Sequence, residues 1–199
     1  MDSNRFRQVI ERIDQLNRDD PTQELVEGVS VPRELLYSQR LTQWVLRLDP
    51  AASEVLQLAA RGQHLRRWTI PRDRYERTRR GYLRWRETLK AFHAEAVSAV
   101  CRDAGYPEEF IERVRLLILK KHLGADPETQ TLEDALCLVF LEHQFTELSA
   151  KTPPEKMRDV LQKTWRKMSE RARREAMQLP LGDAATALLR EAISKTSNP

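Results

Sequence analysis

The sequence predicts an all-α fold, and three observations carry that prediction. Apolar residues recur at 3, 4 and 7 spacing through most of the chain. Prolines fall between those periodic stretches rather than inside them. Glycine is scarce, six in 199 residues, which disfavours the many turns of a β sandwich. A chain of this length buries one good core. The prediction is therefore a single helical domain over 1–195, of about eight helices, with 196–199 as a disordered tail.

Each element has its own signal. Phe6, Val9, Ile10, Ile13 and Leu16 share one helical face, so a helix is expected over Ser3 to Asn17, closed by Asp19-Asp20-Pro21. Residues 22–31 read as a connection with one helical turn. Pro32 is placed as the first residue of a helix that runs to Leu48, where Asp49-Pro50 breaks it. Ala51 to His64 is the third helix, and Pro71 makes Trp68 to Arg72 a turn. Arg74 to Ala104 reads as one long helix that buries Tyr75, Tyr82, Leu83, Trp85, Leu89 and Val97, capped by Gly105. Pro107-Glu108-Glu109 opens a helix ending near His122-Leu123-Gly124, and Asp126-Pro127-Glu128 opens the next. The latter contains DALCLVFLE, the most apolar stretch, and should be the central buried helix. Thr152 and Glu155 form a capping box for a helix over Pro153 to Leu179. Asp183 caps a last helix to Ile193.

Composition excludes several classes. No apolar run reaches the length that spans a bilayer. The opening MDSNRFRQVIER has no apolar signal core, so a cytoplasmic protein with no membrane partner is expected. Cys101 and Cys137 lie within apolar helical patterns and are expected as buried, reduced thiols. Metal, P-loop and nucleophile-elbow signatures (HExxH, GxxxxGK, GxSxG) are absent.

Charge is not spread evenly. From Arg61 to Lys90 there are eleven Lys/Arg against three Asp/Glu, a local balance of +8 in a chain that carries +4. Trp68, Tyr75, Tyr82 and Trp85 run through this stretch, and their spacing reads first as core packing along a helix face. Arg66, Arg67, Arg74, Arg77, Arg80 and Arg84 interleave with them as a basic stripe, either a solvated face or a contact surface for nucleic acid or another anion. Of the four histidines, His64 ends one helix, His93 lies on the apolar face of the next, and Lys121-His122 end the one after. Glu133 and Asp134 precede the apolar centre of their helix, either facing solvent or buried and paired.

In that order, with RGQHLRRW and LEDALCLVFLE as its strongest stretches, the chain resembles the HD-domain superfamily of metal-dependent phosphohydrolases, and more narrowly the domain of unknown function 4202 family (DUF4202), over residues 5–195. The resemblance implies an HD-like core. It places the first metal histidine near Tyr37-Ser38 and the His-Asp doublet at Gln63-His64. It matches His93 to the third histidine, Lys121 to the fourth, and Asp134 to the last aspartate. Most ligands of the divalent metal are thus replaced, and Lys121, Arg61 and Arg67 would supply positive charge in its place. The expected site is an anion pocket with His64 or His93 as general acid or base, Asp134 orienting one of them, and Arg61, Gln63, Arg67, Arg72 and Lys121 binding the ligand. Its ligand would be a phosphorylated small molecule or nucleotide, its chemistry that of a metal-depleted phosphohydrolase. The second expectation is a non-catalytic regulatory or RNA-binding protein that uses the Arg72–Arg86 helix face. Neither cofactor nor oligomeric state is specified by the sequence.

Overall fold

The computed structural model describes residues 3–194; the expected tail at 196–199 lies outside the described residues. Among them are ten α-helices, two 3-10 turns and one two-stranded hairpin. The chain divides into two compact units, Met1–His122 and Leu123–Pro199.

The first unit opens with α1 (Ser3–Arg18), whose Val9 and Ile13 are fully buried. Strands β1 (Gln23–Val26) and β2 (Val29–Pro32) then pair antiparallel, with Val26 opposite Val29. This corrects the expected helical turn. Glu27 and Gly28 both have positive φ, 49° and 83°, as a two-residue hairpin turn requires. Pro32 accordingly ends β2 and stands at the N-cap of α2 (Arg33–Leu48) instead of inside it. Helix α3 (Glu54–Gly62), capped by Ser53, is shorter than expected at both ends. It is the centre of the unit, packing on α1 and α2 and burying Leu56, Leu58, Ala59 and Ala60. Burial of side chains of leucine size stabilises by roughly 1.5–3 kcal/mol each.

Two 3-10 turns, Arg67–Thr69 and Arg72–Arg74, follow α3, and α4 begins only at Arg79 and runs to Asp103. The expected helix start at Arg74 fails for a local reason. The Arg72 guanidinium donates to the Tyr75 and Glu76 carbonyls, both at 2.7 Å, and holds that segment out of the helix. Thr78 then caps α4 through its side chain. The buried face also starts later than expected: Tyr82 is 41% exposed and Leu83 52%, and burial becomes continuous only from Leu89 onward. Helix α5 (Glu108–Ile118) packs on α3 and α4.

In the second unit, α6 (Pro127–His143) is the central helix, as expected, with Leu132, Ala135, Leu138 and Val139 fully buried. It packs on α7 (Phe145–Ala150), α8 (Pro154–Lys167) and α9 (Glu170–Ala176), while α10 (Asp183–Ser194) lies against α7 and α8. The single helix expected to run to Leu179 is two, because Ser169 caps a new helix after Met168. The expected Thr152 capping box does not form; Pro153 is the N-cap of α8 and no side chain caps it. Cys101 and Cys137 are both buried, and no disulfide joins them. No described helix is long and apolar enough to cross a membrane.

Candidate functional site

The polar centre of the first unit forms where the start of α2 meets the chain that leaves α3. Glu34, in the first turn of α2, is 8% exposed. Its Oε2 lies 3.1 Å from His64 Nδ1, and its Oε1 lies 3.7 Å from Arg67 Nε. The Tyr37 ring stacks on His64 at 3.9 Å between centroids and 8° between planes. Behind His64, the His93 ring of α4 follows at 5.7 Å. Arg67 in turn lies over the Trp85 ring at 4.6 Å, and Trp85 Nε1 donates to the Ile70 carbonyl. His64 and Arg67 keep 23% and 28% of their side chains exposed, so they form the open edge of the site, with Glu34 beneath them.

Buried polar groups at the end of α1 hold both walls. Asp20 accepts the Glu34 N–H at 2.9 Å, supplying the cap that Pro32 lacks. Asn17, fully buried, accepts the Arg66 N–H at 3.0 Å and reaches the Glu34 carbonyl at 3.5 Å. Arg66 needs that hold because its φ is +53°, a left-handed conformation that costs a non-glycine residue roughly 1 kcal/mol. Gly62 fixes the remaining distance. A Cβ there would lie 2.2 Å from Val97 Cγ2, so only glycine lets α3 approach α4 this closely beside His93.

Electrostatics separate the three titratable groups. Burial pushes the Glu34 carboxyl up from 4.5 to about 7, against the pull of Arg67 and Arg33. Burial, reinforced by Arg67, Lys120, Arg86 and Arg33, holds His64 well below the ordinary histidine value. Burial, then His64 and Arg67, depress His93 too, while a backbone hydrogen bond with Gln63 opposes them. Both imidazoles are therefore neutral at pH 7, facing four cations and one half-titrated acid. When Glu34 is protonated it donates to His64 Nδ1, and Nε2 carries the ring proton. Once Glu34 is ionised, Nδ1–H donates to it and Nε2 becomes a bare acceptor. His64 Nε2 has no hydrogen-bond partner among the described residues.

Lys120 arrives by an unusual route. At the end of α5, Lys120 N–H bonds the Leu117 carbonyl and Lys121 N–H bonds the Leu116 carbonyl, a Schellman motif with Lys120 at φ +56°. Glycine is the usual residue there, so this lysine holds its place against a backbone preference.

Only some of the sequence-predicted site residues meet here. His64, His93 and Arg67 come together, and Gln63 is buried beside them with its Oε1 unpartnered; His93 Nε2 is likewise buried and unpartnered. Arg61 turns away, its guanidinium closed on Asp14 by two 2.6 Å contacts. Arg72 is committed to the backbone carbonyls of residues 75 and 76. Lys121 is exposed, and its charge bears on Glu87; Lys120, its neighbour, is the lysine that acts on His64. Asp134 belongs to the second unit, buried, where it accepts from Ser169 N at 2.8 Å, Ser169 Oγ at 2.5 Å and Gln130 Nε2 at 2.9 Å. Glu133 beside it pairs with Lys167 at 3.2 Å.

Sequence reasoning missed Glu34, Arg33, Lys120 and Arg86. The nearest signal was the resemblance itself, which put a ligand position at Tyr37-Ser38, one helical turn after Glu34. Among the described residues no three His, Cys, Asp or Glu side chains gather as a metal-holding group. The residues present thus do not fit the divalent centre of the HD superfamily.

These features define an all-α protein in which a partly open His64 rests on a buried Glu34 and feels several cations. The chain belongs to the family described as Domain of unknown function (DUF4202), which it matches over residues 7–189. No curated protein and no solved structure matches it.

Proposed function

We propose that the first unit binds a phosphorylated small molecule or nucleotide at the His64–Arg67 edge, with the Glu34–His64 pair as its acid–base element. One observation carries this reading: four cations, Arg33, Arg67, Arg86 and Lys120, act on a neutral, partly open histidine whose acidic contact among the described residues is Glu34 alone. Such an excess of positive charge around a half-enclosed group favours a dianionic ligand. Arg67 is held flat by Trp85 and is presented as a pre-oriented donor fork.

Phosphoester hydrolysis or transfer is the chemistry that suits the pair. With Glu34 ionised, His64 Nε2 takes a proton from the attacking water or hydroxyl as its oxygen bonds phosphorus and the ester P–O bond breaks; the imidazolium, stabilised by Glu34, then gives that proton to the leaving oxygen. The arginines offset charge that builds on the phosphoryl oxygens.

The test is thermal-shift titration with inorganic phosphate, ribose 5-phosphate and AMP, each with and without Mg²⁺ or Mn²⁺. At a hundred times Kd, binding adds about 2.7 kcal/mol to stability and raises Tm. Arg67→Ala should abolish the shift, and 50 to 200 mM NaCl should change it little. No stabilisation by any of these ligands in any condition overturns the reading.

A further inference from the structure

The outer side of α4 meets that site only at Arg86. Between Arg77 and Arg86 there are five arginines and no acid. Arg77, Arg79, Arg80 and Arg84 are exposed, and none has an ion-pair or hydrogen-bond partner among the described residues. Surface arginines with an acid in reach take one, as Arg102 does with Glu108 and Arg115 with Glu112. The placement also runs against the helix dipole. The first turn of α4 holds two arginines and no acid, at the end where backbone N–H groups already carry about half a positive charge. Arg79, Arg80 and Arg84, with Leu83, Glu87 and Thr88, line an open groove of about 700 Å³. Tyr82 and Leu83 stand exposed in the same turns, and Arg86 holds the Tyr82 hydroxyl at 3.2 Å. The one acid of the groove, Glu87, is occupied by Lys90 at 2.7 Å.

We infer that this face, Arg77 to Thr88, is a contact surface for single-stranded nucleic acid. The unpaired arginines meet successive phosphates, which displace counterions and relieve the unfavourable charge at the helix start. Tyr82 offers an exposed ring on which a base stacks, a contact every base can make. Charge decides for nucleic acid over an apolar partner, since five positive groups surround two exposed apolar ones. The exposed ring decides for a single strand, because duplex bases are already stacked.

Fluorescence anisotropy with a labelled 20-nucleotide oligo-U, using the full chain, tests this. Four phosphate contacts give a log–log salt slope near −3, so affinity should fall about 50-fold between 50 and 200 mM salt. The combined variant Arg77→Gln, Arg79→Gln, Arg80→Gln, Arg84→Gln should lose that slope and most of the binding. The corresponding fourfold Arg→Lys variant should keep both. These side chains touch no partner, so neither variant should melt below the wild type, and the Gln variant should gain slightly from the relieved charge at the helix start. Tyr82→Ala should weaken oligo-U binding about tenfold. Absence of binding at 50 mM salt, or binding untouched by the Gln substitutions, overturns the inference. Equal affinity for a 20-base-pair duplex, with no effect of Tyr82→Ala, overturns the single-strand assignment and leaves a general polyanion surface.

Discussion

Two buried acids, Glu34 and Asp134, invite comparison. Both lie on helices, Glu34 in the first turn of α2 and Asp134 midway along α6, and both are less than a tenth exposed. Asp134 receives three hydrogen bonds from Ser169 and Gln130, and its work is to hold the start of α9. Glu34 faces a histidine and an arginine that remain partly open to solvent, and burial moves its titration toward neutrality. The difference shows that burial of an acid alone does not mark a site. Completed hydrogen bonding makes a structural joint, whereas an acid left to share one mobile proton with an open partner can do chemistry.

The contrast can be broken most sharply through pH. Folded Glu34 keeps its proton to about pH 7, and the unfolded carboxyl releases it near 4.5. The folded state therefore binds more protons in that window, and the stabilisation, fully present below 4.5, is lost as pH rises through about 7. The shift amounts to about 3 kcal/mol at 1.36 kcal/mol per pH unit. His64 and His93 act in the opposite sense, since their lowered values cost stability as pH falls below 6.5. In urea unfolding, Glu34→Gln should gain stability relative to wild type between pH 4.5 and 7 and run parallel above it. A pH-independent difference would show that Glu34 is ionised throughout.

Next in size is Asp134→Ala, which leaves the Ser169 N–H and hydroxyl without their acceptor. It should cost about 2 kcal/mol in the same assay, with phosphate affinity unchanged at temperatures where the variant is folded. Loss of phosphate binding without loss of stability would reverse the roles assigned to the two acids. The smallest effect expected is that of Asn17→Ala, about 1 kcal/mol from the lost Arg66 contact. Because Asn17 touches both walls of the site, that variant should also weaken phosphate binding; a Kd equal to wild type would mean the walls stand without it.

Sequence periodicity located the helices well, because each buried face repeats its own residues locally. It misjudged places governed by contacts between distant residues. No pattern announces that Arg72 will take the carbonyls ahead of α4, or that Asp134 will meet Ser169 and split the last long helix. The hairpin was missed because its strands are four residues each and apolar Leu25 and Val29 sit exposed, 74% and 62%, so apolar residues do not mark the covered side. At the site, His64, His93 and Arg67 were legible as chemistry-bearing residues in a basic stretch. Glu34 was not, since an acid two residues after a helix-starting proline looks like ordinary dipole compensation. Arg61 looked equivalent to Arg67 in sequence, and only the fold shows that Asp14 claims it.

Gly62 has the broadest consequence. With 2.2 Å between its missing Cβ and Val97, it acts as a spacer that sets the interval between two imidazoles from outside the charged set. One added methyl there would pry α3 from α4 and detune the His64–His93 pair while leaving every ionisable group in the chain intact. The tuning of this site is therefore written in steric as well as electrostatic terms, and a single hydrogen atom holds the setting.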